Sequence, residues 1–301
     1  MKILIIILLI ILFILLAVFL ESIRELNSLR VTSYEIDISK KITALGQDKS
    51  ISYDDLKDKK IVFLSDYHEA LCLKEKIIHK IRDLKPDLIL VGGDMVNGKS
   101  EKEDTSPASD LLNSISKVAP VLYALGNHDD NMKSNFYDTS DLWAEYVSRL
   151  NPEIKFLENE SVSLFGGALT VYGLDIPLRY YKRFKFPKLT ATDINEVLSL
   201  SDEKSYNILL GHAPDFIDSY LEWGADLALS GHFHGGMVRV PLLGGLISPR
   251  LRVFPKYTYG KYDRDYNGAV RSMIVTNGLG QHTLKIRINN IPEIVVISFK
   301  L

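Results

Sequence analysis

The chain has 301 residues, a formal net charge of −2, and apolar and charged fractions of 46% and 25%, the make-up of an ordinary globular protein. The near-neutral balance argues against a protein that coats nucleic acid, and the length suits one large domain or two small ones. The single cysteine, Cys72, forms no internal disulfide and is expected to pack beside Leu71 and Leu73 at the start of a predicted helix.

Residues 3–20 are an uninterrupted apolar run, with Lys2 before it and Glu21, Arg24 and Glu25 after it. As a helix this run reaches roughly 27 Å, close to the hydrocarbon thickness of a bilayer. A cleaved signal peptide has a shorter apolar core and a small-x-small cleavage site; here the run ends Ala17-Val18-Phe19-Leu20-Glu21-Ser22. Residues 1–21 are therefore expected to form an uncleaved single-pass anchor in the cell membrane, with the catalytic domain on the extracytoplasmic side, although Arg24, Arg30, Lys40 and Lys41 pull against that orientation.

Residues 22–58 read as a juxtamembrane segment with an entering strand at 30–38, and residues 59–301 as one catalytic domain without a linker or repeat. Within that domain, strands are predicted at 60–65, 87–92 and 119–125, alternating with helices at 73–84, 106–117 and 141–150. Such alternation implies parallel pairing in a sheet covered on its faces. Short strands at 155–158, 161–164 and 168–174 suggest a second sheet. Helix–strand units then return at 193–200 with 206–210 and at 215–223 with 227–230, and strands at 273–276 and 292–299 close the domain. The expected fold is α/β, with two packed mixed sheets flanked by helices and the functional residues on loops at one edge.

Polar residues suited to metal binding follow five of these apolar runs: Asp66-Tyr67-His68, Gly93-Asp94, Gly126-Asn127-His128-Asp129, Gly211-His212 and Gly231-His232-Phe233-His234-Gly235-Gly236. Spacing by two in the first and last turns both side chains toward one side of an extended backbone. Carboxylate and imidazole together suit Mn, Fe, Zn or Ni, so the chain reads as a two-metal hydrolase. His79 and His282 lie outside these motifs and are read as ordinary hydrogen-bonded core groups.

The ordered set resembles the calcineurin-like metallophosphoesterase superfamily, whose pattern runs D-x-H, G-D, G-N-H-D/E, H and G-H-x-H. Residues 231–236, followed by Arg239, Pro241, Gly244-Gly245 and Gly278-Leu279-Gly280, resemble its membrane-associated bacterial branch related to YaeI and YkuE. Members of that branch commonly read G-H-T-H-G-G-Q where this chain has Phe233 and Met237. The resemblance implies a four-layer α/β/β/α fold and two divalent ions. Asp66, His68, Asp94 and His234 would hold one ion, Asp94, Asn127, His212 and His232 the other, with Asp94 bridging. Two such ions against Asp66 and Asp94 leave an excess of about two positive charges to attract phosphate. The implied reaction is attack by a metal-bridging hydroxide on a phosphodiester or phosphomonoester of lipid or cell-envelope origin, with His128 on an extended loop as general acid and Asp129 orienting its imidazole.

Two aromatic-basic stretches, at 179–186 and 250–262, suit either lipid headgroups or a solvated loop with snorkelling cations. The expected partners are the bilayer and a phosphate-ester substrate, and nucleic acid is not expected. The rival readings are a non-catalytic metal-bound scaffold and a nuclease.

Overall fold

A computed structural model describes residues 1–45, 51–68, 70–100, 102–135, 137–184, 187–266, 269–282 and 284–301. Helix α1 (Lys2–Leu26) runs without a break through the apolar segment. Its most apolar window is wholly unburied, and its length and composition fit either a membrane span or a signal sequence. Its last turns differ, because Ser22 and Glu25 are buried against the domain.

The first sheet has the order β1 (Arg30–Asp37), β14 (Glu293–Lys300), β2 (Ile61–Leu64), β3 (Leu88–Val91), β4 (Val121–Tyr123) and β5 (Lys155–Phe156). β1 lies parallel to β14 from Arg30↔Glu293 to Asp37↔Lys300. β14 is antiparallel to β2, and β2 to β5 run parallel. The segment entering from α1 is thus an integral edge of this sheet.

The second sheet has the order β12 (Gly260–Tyr266), β13 (Ala269–Val275), β9 (Leu227–Ser230), β8 (Tyr206–Gly211), β7 (Leu169–Leu174) and β6 (Glu160–Leu164). Its four inner strands are parallel, and a hairpin-type antiparallel strand closes each edge. A short pair, β10 (Arg239–Val240) with β11 (Gly244–Gly245), stands apart.

Alternation along each strand explains why the runs are apolar throughout. Val62, Leu64, Ile89 and Val91 face outward onto Ile77 and Ile81 of α3 (Lys74–Leu84) and Leu111 and Leu112 of α4 (Ser106–Ile115). Ile61, Phe63, Leu88 and Leu90 face inward, where they meet Leu169, Val171, Ile208, Leu210, Leu227 and Leu229 of the second sheet. The outer face of that sheet, with Tyr172, Leu209 and Met273, packs on Ile194 of α7 (Ala191–Leu198) and Ile217 and Leu221 of α8 (Ile217–Trp223). Helices α5 (Asn127–Lys133) and α6 (Ser140–Ser148) add Met132 and Tyr146 to the first outer layer. The expected two mixed sheets between helical layers are present.

Among the described residues, α2 (Ser39–Leu45), α5, β10, β11 and β12 depart from expectation or were not foreseen. The residues at 260–262, read as part of an aromatic-basic surface, open β12, where alternating half-buried side chains pair with β13. Arg250 of the same stretch is buried, with Nη1 3.0 Å from Asp215 Oδ2. Cys72 is exposed rather than packed. Residues 185 and 186 of the other stretch lie outside the described residues.

Candidate metal centre

The polar residues of the five motifs follow β2, β3, β4, β8 and β9, all at the C-terminal ends of parallel strands, where the two sheets open on one side. The turn that presents them is not extended, which corrects the simple alternation argument. Asp66, His68, Asp94, His232 and His234 all have left-handed backbones, with φ between 43° and 65°. Asp, Asn and His tolerate that region better than most residues, and the reversal brings both members of each pair back over the strand ends. It costs of order 1–2 kcal/mol per residue, which the surrounding hydrogen bonds hold in place. His232 N–H donates to Asp66 Oδ1 at 3.0 Å, and His128 N–H to Asp94 Oδ1 at 2.7 Å.

Gly126 and Gly231 make the convergence sterically feasible. A Cβ on Gly126 would stand 2.2 Å from Asp94 Oδ1, and one on Gly231 would stand 2.1 Å from Asp66 Oδ2.

Two groups result. Ligand atoms of Asp66, His68 and His234 lie within 4.8 Å of one another, as do those of Asp94, His212 and His232. Asp94 Oδ2 is 2.9 Å from His212 Nε2 and 3.8 Å from His68 Nε2, so it reaches both groups. Backbone carbonyls orient two of the rings. His212 Nδ1–H donates to Gly92 O at 2.7 Å and His234 Nδ1–H to Gly280 O at 3.1 Å, which leaves each Nε2 facing inward. His68 Nε2, Asn127 Oδ1 and His232 Nε2 are buried without a hydrogen-bond partner among the described residues, and the buried Asp94 Oδ2 and His212 Nε2 meet each other. A constellation of orphaned acceptors is costly unless something cationic satisfies it, so these residues fit divalent ions.

The electrostatics agree. Burial holds His68, His232 and His234 well below the ordinary imidazole range, in the neutral form a cation needs. Burial pushes Asp66 up to about 6 against the pull of His212. For Asp94 burial acts in the same sense, but His212 and His128 outweigh it and keep the carboxylate ionised. Burial opposes the charging of His212 as well, yet Asp94 and Asp66 raise it to about 9. In the absence of a cation, the acid–imidazole contact partly substitutes for one.

His128 and Asp129 require a correction. They open α5, capped by Gly126, rather than lying on an extended loop. Asp129, at the third helical position, turns back to accept from Gly126 N–H at 2.9 Å, Asp94 N–H at 2.7 Å and Tyr123 Oη at 2.9 Å. It therefore braces the Asp94 main chain and does not orient His128. Burial and the nearby Asp94 raise it to about 7. The His128 imidazole is held instead through Nδ1 on Asn97 O.

His282 is the residue that sequence reasoning passed over. Its ring centroid lies 4.5 Å from that of His128 and 4.9 Å from that of His68, and the three form a further group able to hold a metal. Lys99 Nζ stands 2.9 Å from its Nδ1, and burial, with His128 and Lys99, lowers it to about 3. The available signal was Gly278-Leu279-Gly280 just before it, which marks a tight return to the strand ends. His79, by contrast, is a surface group beside Asp83. His128, His282, Lys99, Tyr181 and Arg183 line a cleft of about 440 Å³ over the centre.

The sequence profile of the calcineurin-like phosphoesterase family matches residues 59–236. The chain belongs to the calcineurin-like phosphoesterase family. This phosphoesterase is 28% identical to the metallophosphoesterase YkuE of Bacillus subtilis, over 79% of its own length and 76% of that protein. It is 29% identical to the metallophosphoesterase Cj0846 of Campylobacter jejuni, over 81% and 60%. Among solved structures, TT1561 of Thermus thermophilus aligns with a TM-score of 0.44 at 13% identity, over 73% of this chain and 90% of that one. The phosphoesterase is a metal-dependent phosphoric ester hydrolase whose His and Asp groups can hold the metal.

Proposed function

We propose that this membrane-anchored phosphoesterase hydrolyses a phosphodiester or phosphomonoester of lipid or envelope origin, with two divalent ions held as the two residue groups suggest. Asp66, His68, Asp94 and His234 would bind one ion, and Asp94, Asn127, His212 and His232 the other. Such ions neutralise phosphoryl charge and supply an activated water. The observation that carries this reading is the convergence of two groups of buried ligand atoms, several of them without a hydrogen-bond partner, beneath the cleft that His128 lines.

His128 is the general acid in this reading. With Nδ1–H on Asn97 O, its Nε2 is the atom left to deliver a proton to the leaving oxygen. Burial lowers its affinity for that proton, and an anionic phosphate in the cleft restores it. Asp129 keeps Asp94 in place through the Asp94 amide.

Anchoring is supported by the continuity of α1 into the buried Ser22 and Glu25, since cleavage after the apolar run would cut a helix that the domain grips. The catalytic domain is assigned to the extracytoplasmic side. The test is hydrolysis of bis-p-nitrophenyl phosphate and p-nitrophenyl phosphate by the full chain, stripped and then supplied with Mn, Fe, Zn or Ni. Metal-restored turnover that D94N abolishes is the expected result; no turnover with any metal on folded, loaded protein would reject the hydrolytic reading for these ester classes.

A further inference from the structure

A second cavity, of about 220 Å³, adjoins the cleft and shares Arg183, Pro249 and His282 with it. Its other walls are mainly apolar, including Phe233, Met237, Ile247, Leu251 and Leu284, and the metal-centre residue His234 lines it as well. An apolar cavity opening beside a cationic phosphate site calls for a ligand with both characters.

The position of α1 says where that ligand resides. Arg287 N–H donates to Ser22 Oγ at 3.1 Å, and Asn290 N–H to Glu25 Oε2 at 2.8 Å. Asn290 Nδ2 in turn donates to His234 O at 2.6 Å and Met237 O at 3.0 Å. The helix therefore leaves the domain beside the segment that holds the main chain of His234 and Met237 in the wall of the apolar cavity. The apolar run ends at Leu20, only about 3 Å along the axis from Ser22, so with α1 as the membrane anchor the hydrocarbon boundary lies close to that wall.

On the loops that supply the cavity walls, large apolar side chains are exposed rather than buried: Leu242 at 106%, Val253 at 65% and Leu284 at 57%, with Leu243, Leu251 and Ile286 beside them in sequence. The backbone ties these loops together, through Val238 bridged to Ile288, Ile247 bridged to Val253, and Ile286 N–H donating to Leu284 O. An apolar surface of this kind has a reason to exist when it faces lipid.

We propose that the cavity bounded by Phe233, Met237, Ile247, Leu251 and Leu284 is the subsite for the hydrocarbon tail of a membrane-lipid phosphate ester, which enters across the exposed apolar rim while its phosphate reaches His128 and Arg183. This deepens the proposed function and rests on it for the reaction and for the membrane anchor, but not for the binding of an alkyl phosphate.

The test is calorimetric binding of ethyl, butyl, hexyl and octyl phosphate to the full chain in amphipol, beside inorganic phosphate. Affinity should rise about fourfold per methylene until the cavity is filled. The double variant L251N/L284N, at exposed positions, should flatten that dependence while leaving inorganic phosphate affinity and metal-dependent bis-p-nitrophenyl phosphate turnover unchanged. M237Q serves as the independent variant, with a smaller loss confined to the longer tails. No chain-length dependence, or the same dependence in all three proteins, would overturn the proposal. So would dimerisation that L251N/L284N abolishes together with length-independent binding, which would assign the rim to a second copy. Length-dependent binding without turnover under any metal would instead leave the tail subsite standing and reject the hydrolytic reading.

Discussion

Arg287 offers the sharpest test of how the centre is held together. Its side chain is fully buried, and its guanidinium donates to Asn290 O at 3.0 Å, Asn277 O at 3.1 Å, Gly278 O at 3.2 Å and Gly280 O at 2.9 Å. Burial brings it down to about 10 against the opposing pull of Asp66, Glu293 and Glu25, so it remains charged at neutral pH. The segment it clamps supports two members of the Asp66–His68–His234 group, because Gly280 N–H donates to Asp66 O and Gly280 O accepts from His234. Substitution by Met keeps the bulk and relieves the burial of a charge, which is worth several kcal/mol. Against this, about three charge-assisted hydrogen bonds of about 1.5–3 kcal/mol each disappear, since Nη2 shares two protons among three carbonyls, and at least three carbonyls lose a donor. The net loss for R287M should be about 4 kcal/mol, or a fall in Tm of about 10 °C for a protein of this size. Cation affinity should drop by about 10- to 100-fold, the usual effect of loosening the groups behind a ligand. R287K, a single point donor in place of a fork, should recover only part of either quantity. Thermal unfolding and competitive metal titration of the full chain measure both. A change below about 1 kcal/mol with unaltered cation affinity would refute the clamp.

H128A should retain its metal content and lose roughly 10²- to 10⁴-fold in single-turnover rate; unchanged turnover would end its assignment as the acid. G126A forces a methyl group onto Asp94 Oδ1 and the Asp94 amide, and elemental analysis should show at least tenfold weaker cation binding, whereas full occupancy at wild-type affinity would show that the backbone yields. His282 titrates near 3 when folded and near 6.5 when unfolded, so the unfolded chain binds the proton first and the folded form loses stability as pH falls from about 6.5 toward 3. At pH 5 that loss is about 2 kcal/mol. H282N should therefore gain about that much over wild type between pH 8 and pH 5 in denaturant melts, and an equal difference at both pH values would contradict the burial of the ring.

What was legible in the sequence follows from where the physics is local. Parallel strands buried on both faces must be apolar along their whole length, so β2, β3, β4, β8 and β9 stand out as short runs. Polar residues directly after such a run can only lie at a strand end, which is why Asp66, Asp94, Asn127, His212 and His232 group together on sequence grounds alone. Edge strands gave a weaker signal. β12 reads Gly-Lys-Tyr-Asp-Arg-Asp-Tyr with half-buried alternation, and its aromatic and basic residues looked like surface because only one face needs cover.

The site's finer wiring was illegible for a different reason. The side-chain direction of Asp129 depends on whether residues 127–129 are extended or helical, and Gly126 decides that by capping α5. Once the turn is helical, the first-turn carboxylate finds free amides at the helix start and no longer reaches the neighbouring imidazole. His282 and Arg287 lie far along the chain from the motifs they serve, and nothing in a lone histidine or arginine reveals a long-range partner. Both become intelligible from Gly278 and Gly280, where an added Cβ would meet Asp66 at 2.7 Å and Tyr67 O at 2.0 Å. A glycine-bounded return that must pass so close to the first metal motif necessarily delivers the next side chains to the same centre, and that closeness is what places His282 in the cleft and Arg287 beneath it.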